Sequence, residues 1–363
     1  MLYKYEFVKI KKTLELNSHF LYFIRKSRNV KATDKFLPKK YFHKSFLDKT
    51  HTKIAPSGVF NRNLHEKFQF FFNDFKVISD LEKLEFYNLI VYSNNIHNYF
   101  ENDLITDIVK LRNSNIKRLI KTDSFKDLMT SLWENLKSPN SWDIDDHYQE
   151  FHKKLPESKM CPFCGLDNIS AYNLFKSDYD HIALKGVYPI SSINLKNIAP
   201  TCSKCNQKFK LITDVFFDKH GNRRKFWYPY IFNKKFEIQK IEISLHGSII
   251  PNTDLLKIDG NWIVEILPIN GFTSTWNNVY KIKERYTNAI SHSKWTDELI
   301  KIIKLHNVQL NNYQTVKEYI KKYAEIYNPD DLHIEYHLKY AYFKHLSESN
   351  NVIFFEQIKQ RSA

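Results

Sequence analysis

Cysteine is scarce here: four residues in 363, at Cys161, Cys164, Cys202 and Cys205, set out as two CxxC pairs. That pattern suits a metal better than disulfides and makes the cytoplasm the expected compartment. Glycine is scarcer still for the length, at seven. No Walker A sequence, Gly-rich nucleotide loop or nucleophile elbow appears, so the chain is expected to carry no ATPase motor or serine-hydrolase chemistry of its own. No apolar run approaches the roughly 18 residues of a membrane span. The opening MLYKYEFVKIKKTLELN lacks the continuous apolar core and small-residue cleavage site of a secretory leader. Repeats of 20–50 residues and low-complexity tails are absent too.

Acidic residues are in deficit, with 40 Asp and Glu against 55 Lys and Arg, a formal charge of +15 and a pI of about 9.3. Such an excess suits a polyanionic partner. The abundance of Lys, Asn, Ile, Phe and Tyr is also what an AT-rich genome gives, so charge alone decides little. Hydrophobic residues make up 42% and charged residues 26%, the composition of a globular chain of two or three domains.

Each CxxC can present two thiolates to one ion from a tight turn. Two such knuckles make a closed tetrahedral S4 shell, the usual structural zinc site, with no open position for water. The stretch between Cys164 and Cys202 exceeds that of a simple zinc ribbon, so further structure is built between the knuckles. It contains Asp180-His181 and an Asn-Ile-Ala-Pro turn at Asn197, and Asn206 directly follows the last cysteine. Asp and Asn offer the oxygens that hard cations prefer. An adjacent His can take a proton from water at neutral pH. Singly these residues are bland: Asn197 reads as a turn-former and Asn206 as a helix N-cap.

Taken in order between the knuckles, Asp180-His181, Asn197 and Asn206 resemble the HNH (ββα-metal) nucleases of the zinc-containing, McrA-like branch. The resemblance covers roughly residues 160–210. It implies a β-hairpin carrying Asp180, His181 and Asn197, and a helix opened by Asn206. It implies that Asp180 and Asn206 hold one catalytic Mg²⁺ or Mn²⁺, that His181 is the general base, and that Asn197 orients it. One structural Zn²⁺ would sit on the four cysteines. Two positions depart from the family pattern: Leu184 stands where many relatives have proline, and Phe209, flanked by Lys208 and Lys210, where many have lysine. Beyond the core, Arg223, Arg224 and Lys225 follow a Gly-Asn turn. With Lys208 and Lys210 they are candidate phosphate contacts.

The expected architecture is α+β, in three parts. Residues 1–150 form a basic, aromatic-rich, mainly helical domain. Residues 151–230 hold the HNH module, its four-cysteine zinc site and a following hairpin, and 231–363 hold a small antiparallel sheet and then helices. Partial alternation suggests early strands between Leu2 and Leu16. Ser79 or Asp80 as cap, with Glu82 following, predicts a helix start, with Leu81, Leu84 and Leu89 in its apolar stripe. Helices are expected from Asp103 to about Lys121 and from Ser124 to Leu136. Thr315 with Glu318 predicts a capping box, and Asn328-Pro329 the start of a helix through Leu346. Asp143, Asp145, Asp146, His147 and His152 read as a linker face approaching the module.

The activity implied is hydrolysis of DNA phosphodiester bonds, with RNA also admissible, in a setting such as bacterial restriction or anti-phage defence. A nucleic-acid-binding module or a partner-gated subunit with a silent HNH fold is the alternative. An ATPase or another defence component is the kind of protein partner expected, a homodimer is compatible with the sequence, and a membrane is not expected.

Overall fold

Thr13, Leu16, Phe20, Phe23, Ile24 and Ser27 recur at helical spacing, and all six are buried along helix α1, Lys11–Ser27. The computed structural model describes residues 3–56, 59–101, 116–138, 142, 144–172, 177, 179–230, 242–246, 249–250, 259–260 and 262–363. The early strands expected up to Leu16 are replaced by this helix. Its apolar residues follow a period near 3.6, not 2, and among the described residues of that stretch only Tyr5 makes a bridge, to Tyr230.

The N-terminal helices continue with α2 (Arg62–Lys76), α3 (Asp80–Asn94), α4 (Asp123–Lys137) and α5 (Ile144–Lys153). On α2, Phe68, Phe71, Phe72 and Phe75 are fully buried, roughly 1.5–3 kcal/mol each in transfer free energy. Phe70 points to solvent. Helix α3 opens at Ser79, one of the two expected caps, which forms a capping box with Glu82. Its buried stripe is Phe86, Leu89 and Ile90, whereas Leu81 and Leu84 are exposed. Thr122 caps α4 by accepting from the Phe125 amide. Most of the helix expected from Asp103 lies outside the described residues, which show only its last turn, Lys117–Ile120.

The middle of the chain forms a two-stranded antiparallel sheet of β1 (Tyr179–His181) and β2 (Ile198–Pro200), with Asp180 opposite Ala199 and His181 opposite Ile198. A π-helix, Lys204–Lys210, follows. The expected hairpin after it closes as a tight turn. The Asp218 amide donates to Asn222 O, Phe217 bridges Arg223, and Gly221 takes φ +86°. The small antiparallel sheet expected next is present: β3 (Glu242–His246) pairs with β6 (Ile263–Leu267), and β4 (Ile249–Ile250) with β5 (Asp259–Gly260).

Six helices complete the described chain: α6 (Gly271–Tyr280), α7 (Ile282–Ser291), α8 (Trp295–Leu305), α9 (Tyr313–Ala324), α10 (Tyr336–Glu348) and α11 (Val352–Ser362). Two expected starts move. Asn312, not Thr315, caps α9, with Thr315 as the third residue of that capping box. Asn328-Pro329 opens only a short 3-10 turn. Leu332 and Glu335 then adopt left-handed conformations, and α10 begins afresh at Tyr336.

Two hydrophobic cores result. One gathers α1–α4 with Ile190, Ile193, Leu195 and Ile198. The other joins the four cysteines, the β3–β6 sheet and α6–α11, together with Tyr3, Tyr5 and Val8 from the N-terminus. Within residues 151–230, the cysteine knuckles pack into the second core, and Ile190, Ile193, Leu195 and Ile198 into the first. The β1–β2 hairpin lies on the seam: Ile198 packs into the first core, Ala199 into the second, and Tyr179 against both.

Candidate metal centre and candidate active site

The first knuckle is a turn in which Gly165 N donates to Cys161 O at 2.8 Å and Cys161 N to Asp167 O at 2.7 Å. Gly165 has φ +66°, and a Cβ there would lie 2.6 Å from His337 Cε1, so only glycine fits. The second knuckle leads into the π-helix. The four cysteines are buried, and their sulfurs lie within 4.8 Å of one another. Cys164 and Cys202 Sγ are 3.8 Å apart. A tetrahedral zinc with Zn–S bonds near 2.3 Å needs sulfurs about 3.8 Å apart, so the cluster could hold a metal ion such as zinc.

The chain also surrounds those sulfurs with charge. Arg285 on α7 donates to Cys205 Sγ at 3.3 Å and to Asp167 Oδ2 at 3.3 Å, while Lys204 Nζ is 2.7 Å from Asp167 Oδ1. Burial works against ionising Cys161, Cys164 and Cys205. At Cys164 the neighbouring thiols and the Arg285 charge outweigh burial and hold it well below its usual range, whereas burial pushes Cys161 and Cys205 up. A four-thiolate zinc centre carries a net negative charge, and one guanidinium plus one ammonium against one carboxylate suits it. Trp276 Nε1 and Tyr286 OH donate to Phe163 O and Cys164 O, each at 2.8 Å, fastening the knuckle to α6 and α7. Asp167 and Arg285 were invisible as a pair in the sequence. The only hint was an acidic residue three positions after Cys164.

The hairpin carries three of the four expected active-site residues. Asn197 closes the loop: its Oδ1 accepts from Ala183 N at 2.8 Å, and its Nδ2 donates to Ala183 O at 2.9 Å and Ser191 O at 3.2 Å. His181 Nε2 is 2.9 Å from the Ser192 carbonyl, which can only accept, so Nε2 carries the proton and Nδ1 the lone pair. Burial, reinforced by the charges of Lys185, Lys210 and Lys137, lowers the His181 pKa to about 3, so the ring is neutral at pH 7. The Trp133 ring from α4 lies edge-on to it, centroids 4.5 Å apart.

Asp180 is buried beside His181. Its Oδ1 accepts from Lys210 Nζ at 2.7 Å, and its Oδ2 is buried with no hydrogen-bond partner. Lys210 also donates to the His181 carbonyl at 2.7 Å. An orphaned buried carboxylate oxygen is the kind of donor a hard cation takes, so Asp180 fits the expected metal.

Asn206 does not open the helix. It is the third residue of the π-helix, and its amide donates to Cys202 O at 3.2 Å. Lys210 is buried, while Phe209 stacks under Arg285, Cζ 4.4 Å from the ring centroid. Lys210, expected among the phosphate contacts, is instead buried against Asp180.

The other expected contacts divide. Lys208 and Lys225 are exposed. Arg223 is engaged with the carbonyls of Phe216, Arg224 and Tyr99, and Arg224 with that of Asp214. On the linker face, His147 Nδ1 meets Tyr179 OH at 2.7 Å, His152 Nε2 meets Ile169 O, and Asp145 accepts from Tyr172 OH. Asp143 lies outside the described residues. Among those residues, the four cysteines are the one group of His, Cys, Asp or Glu side chains set to share an ion. No helix of the described chain is long and apolar enough to cross a membrane.

Comparison of the chain with protein-family models, with curated proteins and with solved structures finds no match in any of the three.

Proposed function

We propose that this chain is a metal-dependent endonuclease of the HNH kind, hydrolysing phosphodiester bonds in DNA. The observation that carries the reading is the state of His181. Its ring is fixed through Nε2 on a loop closed by Asn197, it is neutral, and it directly follows in β1 the residue Asp180, whose Oδ2 is uncommitted. Two short antiparallel strands followed by a helix that starts inside the second CxxC support the same reading.

In this mechanism Asp180 Oδ2 and the Asn206 carboxamide would hold a Mg²⁺ or Mn²⁺ ion. When bound, that ion supplies Lewis-acid stabilisation of charge on the phosphate and the leaving oxygen. His181 Nδ1 takes the proton of the attacking water. Asn197 holds the His181 loop in place. A base with a pKa near 3 is weak, but the causes are burial and three lysine charges. A phosphate drawn in beside those lysines offsets their effect and raises the basicity of His181 as substrate arrives. One zinc on the four cysteines is structural.

Two contacts favour a second, partner-gated reading: Lys210 on Asp180 and Trp133 on His181 both cover the chemistry in the free chain. On that reading a protein partner, such as an ATPase or a defence-system component, opens the site. Incubating the purified chain with supercoiled plasmid, single-stranded DNA and RNA, with Mg²⁺, Mn²⁺ or neither, separates the two. Metal-dependent cutting by the chain alone supports the endonuclease. Binding without cutting supports the gated subunit.

A further inference from the structure

Trp133 belongs to the N-terminal helices and packs against the edge of their core. It is only partly buried, it meets His181, and two ammonium groups lie over it. Lys137, one turn further along α4, places Nζ 5.6 Å from the ring centroid. Lys185, from the loop after β1, places Nζ 5.7 Å from it. Lys185 is exposed and has no ion-pair partner among the described residues. Lys137 is shared with Glu134 at 2.8 Å. Both lysines are exposed, so two positive charges flank one partly buried aromatic.

The arrangement is built from two separate parts of the chain. Helix α4 packs on the Pro189–Ser191 turn of the His181 loop, which fixes Trp133 and Lys137 relative to Lys185. An indole flanked by cations matches a nucleic-acid strand, which alternates flat bases with phosphates. We infer that Trp133, Lys137 and Lys185 form a strand-binding platform at the mouth of the His181 site, where the indole stacks a base or sugar and the two lysines contact flanking phosphates. The N-terminal helices then supply part of the substrate site. This inference rests on the endonuclease reading for its substrate class.

The test measures binding, not cutting. Anisotropy of a fluorescein-labelled single-stranded oligo-dT is followed without added divalent ion across a salt series. The full chain is compared with Lys137→Ala/Lys185→Ala, Trp133→Leu, Trp133→Phe, and a control pair on α8, Lys301→Ala/Lys304→Ala. The platform predicts that the Lys137/Lys185 pair lowers the slope of log affinity against log salt by about 1.4, about 0.7 per phosphate. Trp133→Leu weakens binding about tenfold and Trp133→Phe, which keeps a ring, much less. The control pair leaves slope and affinity near those of the wild type.

Oligo-dT binding that is absent in the wild type, unchanged in the Lys137/Lys185 variant, or lost equally in the control overturns the platform. A Trp133→Phe variant that folds as wild type and binds as poorly as Trp133→Leu removes the stacking role. Because nothing is cleaved in this assay, platform-dependent binding by a chain that never cuts would sink the endonuclease reading alone. Cutting that is indifferent to all three residues would sink the platform alone.

Discussion

Lys210 and Asp180 form an ion pair in the interior, Nζ to Oδ1 2.7 Å, with side chains 1% and 4% exposed. Removing one member of a buried pair leaves the other charge uncompensated, a loss of about 3–5 kcal/mol. Lys210→Met should therefore lower the stability measured by urea unfolding by about that much. Adding Mg²⁺ or Mn²⁺ should recover more stability in the variant than in wild type, because Asp180 then has both oxygens to offer. Equal metal effects in the two proteins would argue against a cation site at Asp180.

Cys202→Ser removes one sulfur from a cluster that the knuckle hydrogen bonds join to α6 and α7 through Trp276 and Tyr286. Zinc binding and folding are linked in such sites. The variant should lose its zinc by elemental analysis and the cooperative thermal transition of the C-terminal core with it. Retention of both would mean that the sulfurs do not share an ion.

Gly165→Ala meets two obstacles, a positive φ and the His337 imidazole. The backbone part alone is worth about 1–2 kcal/mol. In a double-mutant cycle, His337→Ala should relieve the steric part and leave the backbone part, so the double variant should lose less than the sum of the two single losses. Strict additivity in urea unfolding would show that the imidazole is free to move aside.

Burial lowers the His147 pKa to about 4. The unfolded chain, with an ordinary histidine pKa near 6.5, binds more protons between those values, so this group makes stability fall as pH drops through that window. The slope from one such group is at most about 1.4 kcal/mol per pH unit. His147→Gln, which cannot ionise, should flatten the stability profile between about pH 6.5 and 4. An unchanged profile would show that His147 does not stay neutral in the folded chain.

The parts legible in the sequence were those whose partners are close along the chain or whose chemistry is rare. Four cysteines in two CxxC pairs can converge in few ways, and Asp180-His181 with Asn197 needs only one hairpin to meet. The Ser79–Glu82 cap is likewise local. Trp133 and Arg285 were not legible, because each reaches its site from a helix far away in the chain and neither carries a spacing signal. Lys210 was visible but misplaced, since its partner Asp180 lies 30 residues away on the hairpin and no local signal marks the pair. The break before α10 was hidden for a different reason. Leu332 and Glu335 are not residues that announce a left-handed backbone, and the Glu335 amide is held by Gly165 O, a contact from across the core.

The central claim is that His181 is the base of a phosphodiester hydrolysis. It is tested most directly by single-turnover cleavage of plasmid DNA in Mn²⁺ or Mg²⁺, comparing wild type with His181→Ala at matched zinc content and thermal stability. The account predicts metal-dependent cutting by wild type, lost by a factor of about 10²–10⁴ in the variant. Cutting that survives His181→Ala at the wild-type rate would contradict it.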